Sequence, residues 1–180
     1  MQRLTYVAPR TLQWRESARP ELGSERAALV RPLAVATCDL DALIVEGLSP
    51  FPAPFALGHE CVAEVLEVGE EVTSFTPGQR VSVPFQISCG ECVPCRQGRT
   101  SNCAEVAFMS TYGFGPAVER WGGFLADAVC VPYAEHMLVP VPEGLASAAV
   151  ASASDNISDA WRTVAPALAA EPGAAVLVVG

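Results

Sequence analysis

Four cysteines that lie close together in the sequence constrain this chain more than any other feature. Residues 89–103 contain Cys89, Cys92, Cys95 and Cys103, which are four of the seven cysteines present. Thiols separated by two residues do not pair easily with each other, but a tight turn can direct their sulfurs toward one tetrahedral ion, with Zn–S distances near ~2.3 Å. We interpret this segment, called the cysteine lobe below, as a closed zinc site with four thiolate ligands.

Other interpretations of the cysteine lobe stay open at this point. Iron–sulfur clusters use similarly short spacings, and a redox pair is another use of neighbouring thiols. Disulfides are less favoured because residues 1–10 are charged and lack the apolar core of a signal peptide. Four thiolates would leave no coordination position for a substrate, so we expect a structural zinc and a reaction centre elsewhere.

Composition excludes several kinds of partner. The chain has 180 residues and a formal charge of −9, with eleven basic residues that are all arginine. This charge argues against nucleic acid and against an anionic membrane surface. No apolar run approaches the ~20 residues of a transmembrane helix. Together with the cysteine usage, these features predict a cytoplasmic protein with one good core and the start of a second domain.

The first half of the chain has the pattern of a β-rich domain. Short apolar or alternating pieces at residues 12–14, 27–30, 61–68 and 80–84 are separated by proline and glycine turns. Such pieces are typical of strands and are too short and too interrupted for helices.

A pattern around a single histidine suggests a family. It consists of Gly58-His59-Glu60, then Ala63, Gly69 and Val72. This pattern resembles the zinc signature of the medium-chain alcohol dehydrogenase family, with Ala63 where that signature has glycine. Further matches follow the expected order along nearly all of the chain: Cys38-x-x-Asp41 upstream, the turn from Phe75 to Val81, the cysteine lobe, and Trp121 to Phe124.

The resemblance implies a mainly β fold. Residues 1–153 would form a GroES-like catalytic zinc domain, a partly open barrel that carries the cysteine lobe. Residues 154–180 would be a linker helix and the first strand of a truncated Rossmann nucleotide-binding domain. Helical spacing at residues 154–168 and the apolar run at 174–179 fit this division. Because no glycine-rich turn follows that run, we expect the catalytic half of a longer enzyme, inactive alone.

The resemblance also implies a catalytic zinc. Cys38, His59 and Asp155 would be its ligands, and we call them the mixed-ligand site. Glu60 would be an exchangeable fourth ligand, and Asp41 would accept a hydrogen bond from the second ring nitrogen of His59. A thiolate, an imidazole and a carboxylate suit zinc and leave one position open for an alcohol oxygen. On base rates alone, Asp41 could instead be an exposed turn carboxylate.

The function implied is a zinc-dependent oxidoreductase that moves hydride between a small alcohol, polyol or aldehyde hydrate and NAD or NADP, as a homo-oligomer at full length. The alternative is a non-catalytic, zinc-stabilised barrel that serves as a binding or assembly module. Three departures bear on this choice. Leu40 stands where relatives have the hydroxyl residue that relays the alcohol proton. Asp39 stands where relatives often have a basic residue that contacts the cofactor phosphate, and Asp159 stands where they often have a threonine that contacts the nicotinamide.

Two further expectations concern the region beyond the cysteine lobe. Met109, Tyr112 and Phe114 are expected to wall the substrate pocket, although core packing is the commoner fate of such side chains. Residues 131–142 have the pattern of strand and turn, and His136 within this apolar, proline-bounded segment is expected to be structural.

Overall fold

The computed structural model describes residues 1–179 and is mainly β, as the sequence predicts. Numbered in chain order, the strands are β1 (Gln2–Ala8), β2 (Thr11–Glu16), β3 (Ala28–Ala36), β4 (Phe55–Ala56), β5 (Glu60–Val68), β6 (Arg80–Val83), β7 (Val129–Val131) and β8 (Val139–Pro140). They form two antiparallel sheets, with orders β2-β1-β4 and β7-β3-β5-β6-β8.

Short helices fill the connections between strands. They are α1 (Asp39–Val45), α2 (Val93–Arg96), α3 (Val118–Trp121), α4 (Ala134–Met137) and α5 (Asn156–Ala170), with 3₁₀ turns at Thr100–Asn102 and Ser147–Val150. The sequence pattern predicts α5 within two residues, but it predicts strand and turn where α4 occurs. That expectation is wrong because tertiary packing decides this single turn, whose Ala134 and Met137 are buried.

None of the described helices is long and apolar enough to cross a membrane.

Strand β5 lies at the centre of the larger sheet, and most of its side chains are buried. It pairs with β3 on one side and β6 on the other. Its first residues, Glu60 to Ala63, are completely inaccessible to solvent. The segment that carries His59 and Glu60 is therefore anchored at the buried centre of the larger sheet. A second, smaller apolar cluster lies beside it, formed by Tyr6, Ile44, Phe55, Leu57, Phe114 and Val118.

The strand predicted at residues 174–179 does not form in the described part of the chain. These residues make no ladder, and Leu177 and Val178 are each 86% exposed. A strand needs a neighbour to satisfy its backbone groups, and no described strand lies beside it. Gly180, where the predicted strand ends, lies outside the described residues.

Candidate metal centres

The cysteine lobe gathers its four sulfurs at spacings suited to one ion. All four Sγ atoms lie within 4.8 Å of one another. The Cys89–Cys95 and Cys92–Cys103 sulfur pairs are separated by 4.0 Å and 3.9 Å. A disulfide would require about 2.05 Å. A tetrahedral ion with Zn–S distances of ~2.3 Å would separate its sulfurs by roughly 3.8 Å. The group therefore fits a zinc site and not disulfides.

The backbone of the lobe is arranged to stabilise thiolates. Main-chain N–H groups from Ala104 and Cys95 lower the pKa of the Cys92 thiol to about 6, whereas burial raises the pKa of Cys95 to about 12. Without an ion, the four thiols do not all ionise near neutrality, so metal binding must drive that step. Three sulfurs accept main-chain hydrogen bonds at 3.3–3.4 Å. Cys89 Sγ accepts from the N–H groups of Glu91 and Cys92, Cys92 Sγ accepts from Ala104 N, and Cys103 Sγ accepts from Cys89 N.

The base of the lobe packs against α4. Gly90 has φ +79°, and a Cβ at this position would lie 2.5 Å from the His136 ring, so only glycine allows the approach. His136 Nε2 lies 2.9 Å from Ser88 Oγ, and Tyr133 packs against the cysteines. His136 belongs to neither candidate metal group and has the contacts of a structural residue.

The mixed-ligand site brings a sulfur, a nitrogen and an oxygen together. His59 Nε2 lies 3.5 Å from Cys38 Sγ and 3.4 Å from Asp155 Oδ2, and all three ligand atoms lie within 4.8 Å of one another. A tetrahedral ion held at ~2.0–2.1 Å from nitrogen and oxygen and ~2.3 Å from sulfur would separate those atoms by roughly 3.3–3.6 Å. The three residues therefore fit a zinc ion and leave its fourth position open.

Each ligand of the mixed-ligand site stands immediately before a secondary-structure element. Cys38 precedes α1, His59 precedes β5 and Asp155 precedes α5. Gly58 has φ +95°, and a Cβ there would lie 2.7 Å from Leu125 N, so glycine is required for the close approach beside His59. Because Cys38 and Asp155 are half-buried while His59 is 1% exposed, the site is open to solvent on one side.

Asp41 contacts two of these ligands and is not an exposed turn carboxylate. It is 8% exposed, its Oδ2 accepts a 2.9 Å hydrogen bond from Cys38 N, and its Oδ1 lies 3.4 Å from His59 Nδ1. The expected hydrogen bond from His59 to Asp41 is not formed at this distance, and His59 Nδ1 has no hydrogen-bond partner among the described residues. Burial lowers the pKa of His59, but Asp41, with the charges of Glu60 and Asp155, outweighs it and raises the pKa above its ordinary value.

Glu60 does not join the mixed-ligand group, because its carboxylate does not lie within 4.8 Å of all three ligand atoms. It is completely buried, and burial raises its pKa. Its Oε1 accepts a 2.7 Å hydrogen bond from Asn156 Nδ2, and its Oε2 has no hydrogen-bond partner among the described residues. Sequence reasoning missed Asn156, although its position directly after Asp155 was a usable signal.

Aromatic side chains line one flank of the mixed-ligand site. The rings of Phe114 and Phe85 meet the His59 ring edge-on, at centroid distances of 5.7 and 6.4 Å. Phe51 packs against Phe114 at 5.7 Å, and Leu40 packs against the same cluster. These four side chains make the surroundings of the site apolar. The sequence indicated Phe114 and Leu40 but not Phe51 or Phe85.

Of the two other residues expected in the pocket wall, Tyr112 lies elsewhere. Tyr112 is completely buried in the main core, where its ring packs on Phe124 and its hydroxyl donates to Cys130 O at 2.8 Å. Tyr112 can lie in the core because the Cys130 carbonyl accepts the hydrogen bond of its hydroxyl there. Met109 is half-buried at a turn with φ +56° and packs in neither core cluster.

One cavity of the described chain is lined by no ligand residue of either metal centre. It has a volume of about 550 Å³ and is lined by Arg3, Trp121 and Tyr133 among others, but by none of the mixed-ligand residues. The chemistry of the ligand atoms, and not cavity size, therefore identifies the candidate reaction centre.

Comparison with known proteins agrees with this geometry. A family model described as the alcohol dehydrogenase GroES-like domain matches residues 24–143. Formaldehyde dismutase from Pseudomonas putida is 34% identical over 120 residues, which cover 64% of this chain and 30% of the relative. The alcohol dehydrogenase TADH from Thermus sp. ATN1 superposes with a TM-score of 0.80 at 30% identity, covering 89% of this chain and 46% of that one.

A second solved structure extends the match. An NAD-dependent alcohol dehydrogenase superposes with a TM-score of 0.75 at 29% identity, covering 96% of this chain and 49% of that one. The chain therefore spans less than half the length of each of these three proteins.

Proposed function

We propose that this chain, which belongs to the family of alcohol dehydrogenase GroES-like domains, is the zinc-binding half of a dehydrogenase. The reaction would move hydride between a small alcohol, polyol or aldehyde hydrate and NAD or NADP. The observation that carries the proposal is the convergence of Cys38, His59 and Asp155 at spacings suited to one ion. Residues 1–153 would be the catalytic domain and residues 154–180 the beginning of the cofactor domain.

Each side chain around the mixed-ligand site would have a separate task. Cys38, His59 and Asp155 would hold zinc, which when bound polarises an alcohol oxygen and lowers its pKa. Asp41 would fix the tautomer of His59, because its carboxylate faces the ring nitrogen that does not ligate. Phe85 would turn an apolar surface toward the substrate carbon and exclude water from that flank.

The proton of the alcohol needs a route that does not use Leu40. A leucine side chain can neither accept nor donate a proton, and it packs here against the phenylalanine cluster. We propose that water or a hydroxyl of the substrate carries the proton to solvent through the open side of the site, between the half-buried Cys38 and Asp155.

The cysteine lobe would contribute to stability and not to the reaction. With four thiolates its shell is complete, so a substrate oxygen has no position to occupy. Its zinc would hold α2 and the following 3₁₀ turn in place.

Metal analysis tests the first half of the proposal. The purified chain should contain two zinc ions, and Asp155→Asn should leave one. Asp159→Asn is the matched control, because Asp159 lies on α5 and pairs with Arg162 at the helix surface. Iron in place of zinc, or one ion per wild-type chain, contradicts the proposal.

Cofactor reduction tests the second half. A longer protein containing this chain should reduce NAD or NADP when supplied with alcohols, polyols or hydrated formaldehyde, and light scattering should report an oligomer. The 180-residue chain alone should not turn over, because near-attack positioning needs the nicotinamide half. A protein with two zinc ions and no hydride transfer would favour the alternative, a zinc-stabilised binding module.

A further inference from the structure

Helix α5 is attached to the barrel through three consecutive side chains at its start. Ser154 Oγ donates to a carbonyl of β6 at 2.9 Å, Asp155 lies 3.4 Å from His59, and Asn156 donates to Glu60 at 2.7 Å. None of the fifteen residues of α5 is buried. Asn156, which directly follows the candidate metal ligand Asp155, therefore restrains the buried carboxylate of Glu60.

The carboxylate of Glu60 has an incomplete set of partners. It is completely buried, one oxygen accepts only from Asn156, and the other oxygen accepts from no described residue. A buried ionised carboxylate is costly unless it is paired with a cation or fully hydrogen-bonded. A cation at the mixed-ligand site would attract this carboxylate, whereas the amide of Asn156 holds it in its present place.

We propose that Asn156 is a positioning residue that withholds Glu60 from the ion of the mixed-ligand site, an inference that rests on the proposed function. The hydrogen bond from Asn156 keeps the fourth coordination position free for substrate. When the bond breaks, Glu60 enters the coordination shell and closes that position. Because Asn156 belongs to the first turn of α5, the placement of this helix controls the coordination number of the metal.

Removing the amide distinguishes this role from that of an ordinary outer-shell support. Loss of a supporting residue usually weakens metal binding by about 10–100-fold. Loss of a residue that withholds a ligand must strengthen binding, because a fourth protein ligand becomes available. The sign of the change in affinity therefore decides between the two roles.

Cobalt binding measures that sign. The chain is loaded with one equivalent of Zn²⁺, which the four-cysteine group takes first, and the mixed-ligand site is then titrated with Co²⁺ in competition with a chelator. In Asn156→Leu, whose side chain is branched at the same carbon but lacks a donor, Co²⁺ should bind at least about tenfold more tightly. Its visible absorption bands should also change in position and intensity, because these bands depend on the coordination number.

Matched variants isolate the contribution of Glu60. Ser158→Ala, in the same first turns of α5 and bonded only to the carbonyl of Ala153, should leave Co²⁺ affinity unchanged. In a Glu60→Leu background, Asn156→Leu should have no effect, since no carboxylate remains to be released. If Asn156→Leu does not fold by circular dichroism, Asn156→Ala supplies the test, because it also removes the donor to Glu60, adds no charge and should give the same sign.

The outcomes separate this inference from the proposed function. Tighter Co²⁺ binding with altered bands, abolished in the Glu60→Leu background, supports the role of Asn156. Weaker or unchanged binding in Asn156→Leu, with a wild-type chain that binds Co²⁺, overturns this inference alone. A wild-type chain that binds no second ion overturns both the inference and the mixed-ligand site on which it rests.

Discussion

The two candidate metal centres of this chain are assembled in opposite ways. The four sulfurs of the cysteine lobe come from fifteen consecutive residues, and main-chain N–H groups from the same segment point at them. The ligands of the mixed-ligand site come from Cys38, His59 and Asp155, far apart in sequence and positioned by three different elements. A local site can order its own segment around an ion, whereas a distributed site needs the barrel folded first.

The surroundings of the cysteine lobe and of the mixed-ligand site also differ. The lobe surrounds its sulfurs with backbone donors and leaves no open position, which suits a permanent ion. Carboxylates and phenylalanine rings surround the mixed-ligand site, and two of its three ligands are half-buried. We therefore expect the first ion to determine stability and the second to exchange readily.

The largest effect should come from Cys95→Ser. Removing one of the four thiolates should release the lobe zinc and lower the free energy of unfolding by several kcal/mol, since structural zinc contributes about 10–16 kcal/mol in zinc-finger peptides. Thermal unfolding and zinc content check this. Cys130→Ser is the control, because Cys130 lies outside both metal groups and its thiol donates only to Leu22 O. A Cys95→Ser protein that retains both its zinc and its melting temperature would refute the structural assignment.

The next effect should appear at the mixed-ligand site alone. Asp41→Asn should weaken binding of the second zinc by about 10–100-fold, because the carboxylate that faces His59 and accepts from Cys38 N is lost. Chelator competition measures the change, and the melting temperature should fall much less than in Cys95→Ser. Asp39→Asn, an exposed neighbour in the same turn, should change nothing. Equal affinities for the two variants would remove Asp41 from the site.

A smaller effect is expected from Leu40→Ser. The half-buried leucine packs against the phenylalanine cluster, so its loss should cost about 1–2 kcal/mol of stability. Turnover in the longer protein should persist, because Leu40 carries no proton. Leu43→Ser is the control on the same helix, since Leu43 is 48% exposed. If Leu40→Ser keeps its stability but loses most of kcat/KM, the leucine shapes the substrate pocket directly.

The smallest effect should be a pH dependence beside the cysteine lobe. Hydrogen bonds from Ser74 and Thr73 lower the pKa of Glu135 in α4 from 4.5 to about 2. A lowered pKa stabilises the fold above about pH 4.5, and this contribution is lost as the pH falls toward 2. Glu135→Gln should lower the free energy of unfolding at pH 7 by less than about 1 kcal/mol, because the site is exposed. The difference from wild type should vanish near pH 2, and a difference that grows on acidification contradicts it.

Local sequence patterns were informative where neighbours in sequence are also neighbours in space. The cysteine spacing indicated a tetrahedral group, and the structure gives its sulfurs that arrangement. Short apolar or alternating pieces between proline and glycine turns predicted β2, β5 and β6 within two residues, because strand propensity and turn residues act within one segment. The family resemblance, and not periodicity, indicated Cys38, His59 and Asp155 together.

Other features depended on contacts that no local pattern contains. Tyr112 and Phe114 are two residues apart, yet one is fully buried in the barrel core and the other faces His59. The run at residues 174–179 has the composition of a buried strand but has no described neighbour with which to pair.

By itself, the sequence determined that this protein has a β-rich fold with a four-thiolate group, because strand alternation and a short cysteine spacing act within one segment. Only the tertiary structure decided that Glu60 is held by Asn156 and stays outside the mixed-ligand group, since these residues are 96 positions apart. The physical reason is that a buried carboxylate takes whichever donor or cation the folded chain brings within reach, and chain folding over long distances sets that choice.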